Sequence, residues 1–182
     1  MRRAASRQGL LRELDRARGG VIAELGVFAG DFAAEIIKIL DPLALVLVDS
    51  WQGDIICGDQ HGENMVTRNG DELYAAVVAR FARDQQRTSV VVHRRDTAWF
   101  RLAYPHETFD LIYIDADHEY SAVAEDLRTA GALVKRHGYI AGHDYGPMFP
   151  GVVRAVDDFV RETSWRLTLL TKDGCPSYVL EQ

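Results

Sequence analysis

The stretch VIAELGVFAGD, residues 21–31, decides how the rest of the chain is interpreted. Its apolar start is typical of a strand that is buried on both faces of a sheet. Gly26 and Gly30 then allow a tight turn and a close approach of ligand to backbone. Asp31 can cap the helix that is expected to follow. The stretch therefore predicts a strand, a glycine turn and a helix in succession.

The same alternation continues along the chain. Further apolar runs rich in Val, Ile and Leu occur at residues 43–50, 89–93, 109–117 and 138–144, with helical patterns between them. Such runs indicate a parallel sheet that helices cover on both faces. Residues 166–170 and 177–180 are too close in sequence for a parallel crossover, so they predict a hairpin. We expect a Rossmann-like, doubly wound α/β fold with a mostly parallel, seven-stranded sheet and an antiparallel C-terminal hairpin strand.

Length and composition fit one domain over residues 1–182. The chain has 182 residues, of which 47% are hydrophobic, and a chain of this size buries about two-thirds of its unfolded surface. The first 20 residues are predicted to form an N-terminal helix. The segment of residues 51–70 is long, polar and glycine-containing. It follows the carboxyl end of a strand, which favours a lid loop.

Charge and hydropathy exclude several classes of partner. The formal charge is -6 and there is no basic stripe, so nucleic acid is not expected to bind. No apolar run approaches the roughly 20 residues that cross a bilayer; we therefore expect no membrane partner and a cytoplasmic location. Cys57 and Cys175 have no histidine neighbours at ligand spacing, so neither a disulfide framework nor a cysteine-type zinc site is indicated.

Ligands of open α/β sheets bind at the carboxyl ends of the strands. The turn formed by Glu24, Gly26 and Gly30 lacks the spacing of a dinucleotide fingerprint or a P-loop, which argues against a nucleotide-dependent oxidoreductase. Taken alone, this turn fits a ligand site and a plain strand-to-helix connection equally well. Asp49 ends the next strand, where such folds hold a ribose diol. Together with the glycine turn, Asp49 favours the ligand site over a role in the loop.

Further acidic residues follow the later strands. Asp96 is placed to meet an adenine amine or to cap a helix. Asp115, Asp117 and Asp144 would converge at adjacent strand ends, where like charges must raise a pKa or find a positive partner. That partner can be a metal, a sulfonium or an amine. The alternative is that these carboxylates cap helix N-termini.

Three segments carry the most specific signal, namely IDADHEYSAVAEDL (114–127), GALVKRHGYIAGHDY (131–145) and PGVVRAVDDF (150–159). With them, residues 21–160 resemble class I methyltransferases that depend on S-adenosylmethionine (SAM). The resemblance is to the branch that includes sugar and macrolide O-methyltransferases and cephalosporin hydroxylase-like proteins. It implies SAM as cofactor, O-methylation as reaction and a small hydroxylated molecule as methyl acceptor.

The resemblance also implies which residues surround the cofactor. They come from the glycine turn and from the ends of the next three strands, so that they line the methionine, the ribose and the adenine in turn. The implied cofactor-binding residues are Glu24, Gly26, Gly30, Asp49, Trp51, Asp96 and Asp115.

A divalent metal, magnesium or manganese, is implied on Asp115, His143 and Asp144. His143 departs from the family pattern, which has a carboxylate at this position. Magnesium prefers oxygen ligands, whereas imidazole suits manganese, iron or zinc. Asp117 matches the position of the general base in sugar-modifying relatives, and His118 can replace or assist it.

Two expectations concern the whole molecule. A chain of this size has no large acceptor domain, so pairing into a homodimer is expected to complete the cleft. A catalytically silent SAM-binding or interaction module is the alternative function, because His143 in place of a carboxylate also fits lost metal chemistry.

Overall fold

A computed structural model describes residues 1–58, 65–82 and 88–182 of the chain. Its strands are β1 (Arg2–Ala4), β2 (Val21–Leu25), β3 (Ala44–Asp49), β4 (Asp54–Gly58), β5 (Met65–Asn69), β6 (Ser89–Arg94), β7 (Phe109–Ile114), β8 (Val134–Gly142), β9 (Arg166–Thr171) and β10 (Tyr178–Glu181). Its helices are α1 (Arg7–Arg12), α2 (Asp31–Leu40), α3 (Gly70–Phe81), α4 (Thr97–Ala103), α5 (Tyr120–Leu133) and α6 (Pro150–Glu162), with a 3-10 turn at Asp15–Ala17.

The main sheet has eight strands in the order β1-β9-β10-β8-β7-β2-β3-β6. β2 pairs in parallel with β3 and β7, while β10 runs antiparallel to both of its neighbours, β8 and β9. The predicted α/β fold, with its mostly parallel sheet and C-terminal hairpin, is confirmed. The seven predicted strands are present, and β1 adds an eighth at the edge by pairing in parallel with β9.

Helices cover both faces of the sheet, which explains why the central strands are apolar at nearly every position. Successive residues of β2 alternate between two buried clusters, with Ile22 in one and Ala23 in the other. The first cluster includes Leu10 and Ile36 from α1 and α2, whereas the second includes residues of α4, α5 and α6. Within the described ranges, no helix has the length and apolarity to cross a membrane.

The N-terminal segment differs from the single helix predicted over residues 1–20. Strand β1 precedes the six-residue α1, and the 3-10 turn follows it. Arg2 and Arg16 both donate hydrogen bonds to Glu181, at 2.6 and 2.7 Å, and so join this segment to the last strand. The physical reason is the open edge of β9, whose unpaired backbone groups are satisfied by β1.

The predicted lid loop over residues 51–70 contains two strands. β4 and β5 pair antiparallel, from Asp54 with Asn69 to Gly58 with Met65. Gly70 starts α3 directly after β5, and a Cβ at this position would lie 2.3 Å from the Trp51 carbonyl oxygen, so glycine is required there. Residues 59–64 lie outside the described residues, and a lid function stays a prediction.

Candidate functional site

A cleft of about 400 Å³ opens at the carboxyl ends of β2, β3, β6 and β7. This is the edge at which open α/β sheets bind ligands. The four strand ends supply its walls in the order in which the strands lie in the sheet. The lining residues are Gly26, Phe28, Asp49, Ser50, Arg95, Asp96, Thr97, Asp115, Ala116 and Asp117.

The turn after β2 requires its two glycines. Gly26 has a φ of +87°, and a Cβ there would lie 2.1 Å from the carbonyl oxygen of Asp115. Gly30 has a φ of +77° and is itself the N-cap of α2. Asp31, which was expected to cap this helix, is instead its first residue, and its side chain pairs with Arg80 at 2.7 Å. Gly26 therefore lets the ends of β2 and β7 approach each other beneath the cleft, whereas Gly30 makes room for Phe81 of α3.

Asp49 is held in place by backbone donors. Its Oδ2 accepts hydrogen bonds from the backbone N–H groups of Val27 and Phe28, at 2.8 and 2.9 Å. Its Oδ1 accepts a third from Trp51 N–H at 2.8 Å. A carboxylate has about four lone-pair sites, so Asp49 can accept a further donor from the cleft that it lines.

Trp51 and Asp96, both predicted to border the adenine, have different positions. The structure places the Trp51 side chain in the core, 0% exposed, where its Nε1 donates to the Phe28 carbonyl at 2.8 Å and its ring packs on Tyr74. It therefore does not line the cleft. Asp96 does line the cleft, and its Oδ1 also accepts from Trp99 N–H at 3.0 Å as the cap of α4.

Glu24 lies beneath the cleft rather than on its wall. It is 1% exposed, and its Oε2 has no hydrogen-bond partner among the described residues. Burial, reinforced by the negative charge of Asp115, raises the pKa of Glu24 well above its usual value, while Arg7 acts in the opposite direction. Because its carboxyl group is buried, Glu24 can take its predicted cofactor-binding role only through a group that reaches it from the cleft above.

Arg7 reaches this region from α1 and was not identified from the sequence. Its Nη2 donates to Asp115 Oδ2 at 2.7 Å, and its Nε donates to the Tyr113 hydroxyl at 3.1 Å. The guanidinium carbon lies 4.0 Å from the centroid of the Phe32 ring. Arg7 and Asp115 are 108 residues apart, so no local spacing could have signalled the pair.

Two histidines and two aspartates meet after β7 and β8. His118 Nε2 lies 2.8 Å from Asp144 Oδ2, and His143 Nδ1 lies 3.1 Å from Asp144 Oδ1 and 3.6 Å from Asp115 Oδ1. Ligand atoms of Asp115, His118 and Asp144 all lie within 4.8 Å of one another. This set contains His118 where the sequence predicted His143, although the Nδ1 atom of His143 faces the same two aspartates.

The charges in this cluster are strongly coupled. Burial raises the pKa of Asp115, although Arg7 and His143 oppose that effect. Burial also acts to raise the pKa of Asp144, but hydrogen bonds from His118 and His143 outweigh it and hold that pKa well below its usual range. The contact with Asp144 in turn raises the pKa of His118. Asp144 is therefore ionised, and His118 is a better proton acceptor than a free imidazole.

Asp117 and His118, the two predicted catalytic residues, differ in their surroundings. Asp117 is exposed at the cleft, and its Oδ1 accepts from Glu119 N–H at 2.8 Å, as a turn-forming aspartate does. The ring of His118 stacks on Phe149, with centroids 4.4 Å apart. Asp117 is therefore tied to its own loop, whereas His118 is oriented by residues of other elements.

Comparison with known proteins adds to this geometry. A family model described as a methyltransferase domain matches residues 23–145. No curated protein matches the chain. Among solved structures, the chain is similar to PH0851 (TM-score 0.66, 14% identity, covering 96% of this chain and 45% of that one). It is also similar to a protein assigned as a type 11 methyltransferase from Sulfolobus solfataricus (TM-score 0.63, 12% identity, covering 98% of this chain and 92% of that one). A further similar structure is spermidine synthase from Thermotoga maritima (TM-score 0.59, 15% identity, covering 94% of this chain and 56% of that one).

The sheet order, the glycine turn and the cleft at the strand ends define a protein of the class I SAM-dependent methyltransferase fold. The family match covers well over half of the sequence, and the chain belongs to the methyltransferase domain family. It spans about half the length of PH0851 and of the spermidine synthase. At these low identities, the solved structures show the shared fold alone.

Proposed function

We propose that this methyltransferase transfers the methyl group of SAM to a hydroxyl oxygen of a small molecule. The observation that carries the proposal is the contact between His118 and Asp144, 2.8 Å long, beside the cofactor cleft. Transfer requires that acceptor oxygen, methyl carbon and sulfur lie in line and that the acceptor loses a proton. A histidine oriented by a buried carboxylate at this place supplies the proton acceptor.

The order of the strands supports one orientation of the cofactor. Asp96, after β6, borders the adenine, and Asp49, after β3, accepts a hydrogen bond from the ribose diol. The methionine portion then lies over Gly26 and Asp115, at the ends of β2 and β7. This orientation directs the methyl group towards β7 and β8, where His118 is located.

His118 is preferred to Asp117 as the proton acceptor. A base that is held by a third group keeps its ring in a productive orientation, and Asp144 together with the stacked Phe149 provides this support. The Asp117 carboxylate instead accepts the Glu119 N–H of its own turn. Asp117 in this proposal borders the cofactor and shapes the entrance to the acceptor site.

Asp115, His143 and Asp144 are proposed to hold a divalent cation. Their side chains face one another, with His143 Nδ1 at 3.1 and 3.6 Å from the two carboxylates, and paired carboxylates favour a positive partner. A set of carboxylate oxygens and an imidazole suits manganese better than magnesium. When bound, such an ion lowers the pKa of an acceptor hydroxyl and fixes its position.

The first experiment is a calorimetric titration of S-adenosylhomocysteine (SAH) into the protein, in EDTA and then with magnesium or manganese. We expect a dissociation constant on the order of micromolar and a change when manganese is added. Turnover is then followed as SAH release from SAM with a panel of catechols and sugars. Absence of SAH binding in every buffer would contradict the cofactor assignment, whereas binding without turnover would favour the silent module.

A further inference from the structure

Arg7 brings a positive charge to the acidic end of the cofactor site, at Asp115. We infer that Arg7 recognises the carboxylate of the methionine moiety and so makes the site selective for SAM and SAH over adenosyl compounds that lack this carboxylate. The inference rests on the proposed function, because it assumes the orientation of the cofactor given above.

The position of Arg7 matches the methionine end of the cleft. Its Nη2 lies 2.7 Å from Asp115, a residue that lines the cleft at the end of β7. Gly26, at the end of β2, lies against the backbone of the same Asp115. The guanidinium is therefore at the edge over which the amino-acid portion of the cofactor extends.

The charges around the cleft leave the cofactor carboxylate in need of a cation. Asp49 and Asp115 line the cleft, and Glu24 lies beneath it. These carboxylates suit the sulfonium and the ammonium group of SAM, but they repel its carboxylate. Arg95 lines the opposite end, after β6. Of the arginines that the structure describes near the cleft, Arg7 is the one at the methionine end.

The guanidinium of Arg7 is held in place by its neighbours, yet one of its nitrogen atoms has no acceptor among the described residues. Contacts with the rings of Phe32 and Tyr113, at 4.0 and 5.2 Å from the centroids, hold its plane. Nε and Nη2 donate to Tyr113 and Asp115, whereas Nη1 has no acceptor among the described residues. The side chain is 24% exposed, so a ligand can reach it. A planar guanidinium with free N–H groups is well suited to bind a carboxylate.

A purely structural role for Arg7 makes a different prediction. As a counter-ion for Asp115 and Glu24 alone, Arg7 would stabilise the fold and affect every adenosyl ligand equally. Recognition of the carboxylate affects only those ligands that carry it. The two roles are therefore separated by a pair of ligands that differ in this one group.

The test compares SAH with S-adenosyl-3-thiopropylamine, which is SAH without its carboxylate. Calorimetry on the wild-type protein is expected to show a preference for SAH of about tenfold to a hundredfold. In Arg7→Met the preference should disappear, because SAH loses affinity while the decarboxylated ligand does not. Arg16→Met is the matched control, since Arg16 also stacks on a tyrosine, Tyr139, but forms its ion pair with Glu181 and not with a residue that lines the cleft; its ratio should equal that of the wild type.

Three results would overturn the inference. The first is an equal loss of affinity for both ligands in Arg7→Met, and the second is a wild-type protein without preference for SAH. The third, a wild-type protein that binds neither ligand, would overturn the proposed function as well. Arg7→Lys serves if Arg7→Met does not fold, because it keeps the charge beside Asp115 and loses the planar fork; an unchanged preference in Arg7→Lys would contradict recognition by the guanidinium.

Discussion

The site has a cofactor end, at Asp49 in the cleft, and a histidine end, at Asp144 beside the cleft, and the two ends hold their carboxylates in different ways. Asp49 accepts three backbone N–H groups, so its position depends on the glycine turn and on the end of β3. Asp144 is instead contacted by the side chains of His118 and His143. A carboxylate anchored to the backbone persists as long as the fold does, whereas one anchored to side chains can be altered one residue at a time. The cofactor end is thus fixed by the fold, and the histidine end is open to change.

The strongest test of this contrast removes the backbone-anchored carboxylate. Asp49→Ala is expected to weaken SAH binding by roughly tenfold to a hundredfold, because the one charge-assisted hydrogen bond that Asp49 can still accept contributes about 1.5–3 kcal/mol. Calorimetry with SAH measures the change. Asp96→Ala is the control at the same end, and its effect should be smaller. An unchanged dissociation constant for Asp49→Ala would contradict the ribose assignment.

Asp126 on α5 sharpens the comparison, because neither backbone donors nor side chains satisfy both of its carboxylate oxygens. It is 2% exposed, and its Oδ2 has no hydrogen-bond partner among the described residues. Burial raises the pKa of Asp126 to about 6, with the charges of Glu125 and Asp117 adding to this and a hydrogen bond with Thr97 opposing it. The folded protein therefore keeps this proton to a higher pH than the unfolded chain does.

The contribution of Asp126 to the stability of the protein should consequently fall as the pH rises from about 4 to 6 and stay reduced above that range. The contribution of Asp126 is on the order of 2–3 kcal/mol. In Asp126→Asn this part of the fall should vanish, as urea unfolding at a series of pH values would reveal. Glu125→Gln, at an exposed position on the same helix, removes one of the charges that raise this pKa but leaves Asp126 buried, so it should retain most of the fall. A pH profile of Asp126→Asn that matched the wild type would refute the prediction.

The histidine end is tested by replacing each of its two histidines with alanine in turn. His143→Ala should lower the affinity for Mn²⁺ by about 10–100-fold, as measured from the spin resonance signal of free Mn²⁺. His118→Ala should change this affinity little and should slow methyl transfer by roughly 10²–10⁴-fold. The reverse outcome would make His118 the ligand and His143 the proton acceptor.

The smallest effect is expected at the exposed ion pair beside the glycine turn. The side chains of Asp31 and Arg80 are 84% and 39% exposed, and such pairs contribute less than about 1 kcal/mol. Asp31→Ala should therefore leave SAH affinity unchanged and shift the urea midpoint only slightly. A loss of affinity close to that of Asp49→Ala would show that a side-chain pair, and not the backbone, holds the cofactor end.

The features that the sequence predicted correctly are local ones. An apolar run followed by glycines defines β2 and its turn, and the short link before residues 177–180 requires a hairpin, which the structure confirms as β9 and β10. Asp49 and Asp115 follow strands directly, and strand ends of a parallel sheet meet at one edge. Both residues therefore line the cleft as the sequence suggested.

The features that the sequence did not predict depend on distant partners or on side-chain direction. The pairs β1 with β9 and Arg7 with Asp115 join residues more than 100 positions apart, and no periodicity reports such contacts. Trp51 has a φ of 40°, and its ring is buried in the core, which its place after a strand could not reveal. Spacing alone also gave no means to foresee that His118 would join His143 at the two aspartates.

Strand β1 also governs how this edge of the sheet meets other molecules. An uncovered edge strand exposes a row of unpaired backbone groups that can pair with another chain. Without β1, this edge would be the six-residue β9, whose Leu169 and Leu170 are buried. With β1 in place, the edge is three residues long, and Arg2 and Arg3 are exposed on it. The N-terminal segment thus shortens the exposed edge and places charged side chains on it, and both features oppose edge-to-edge aggregation.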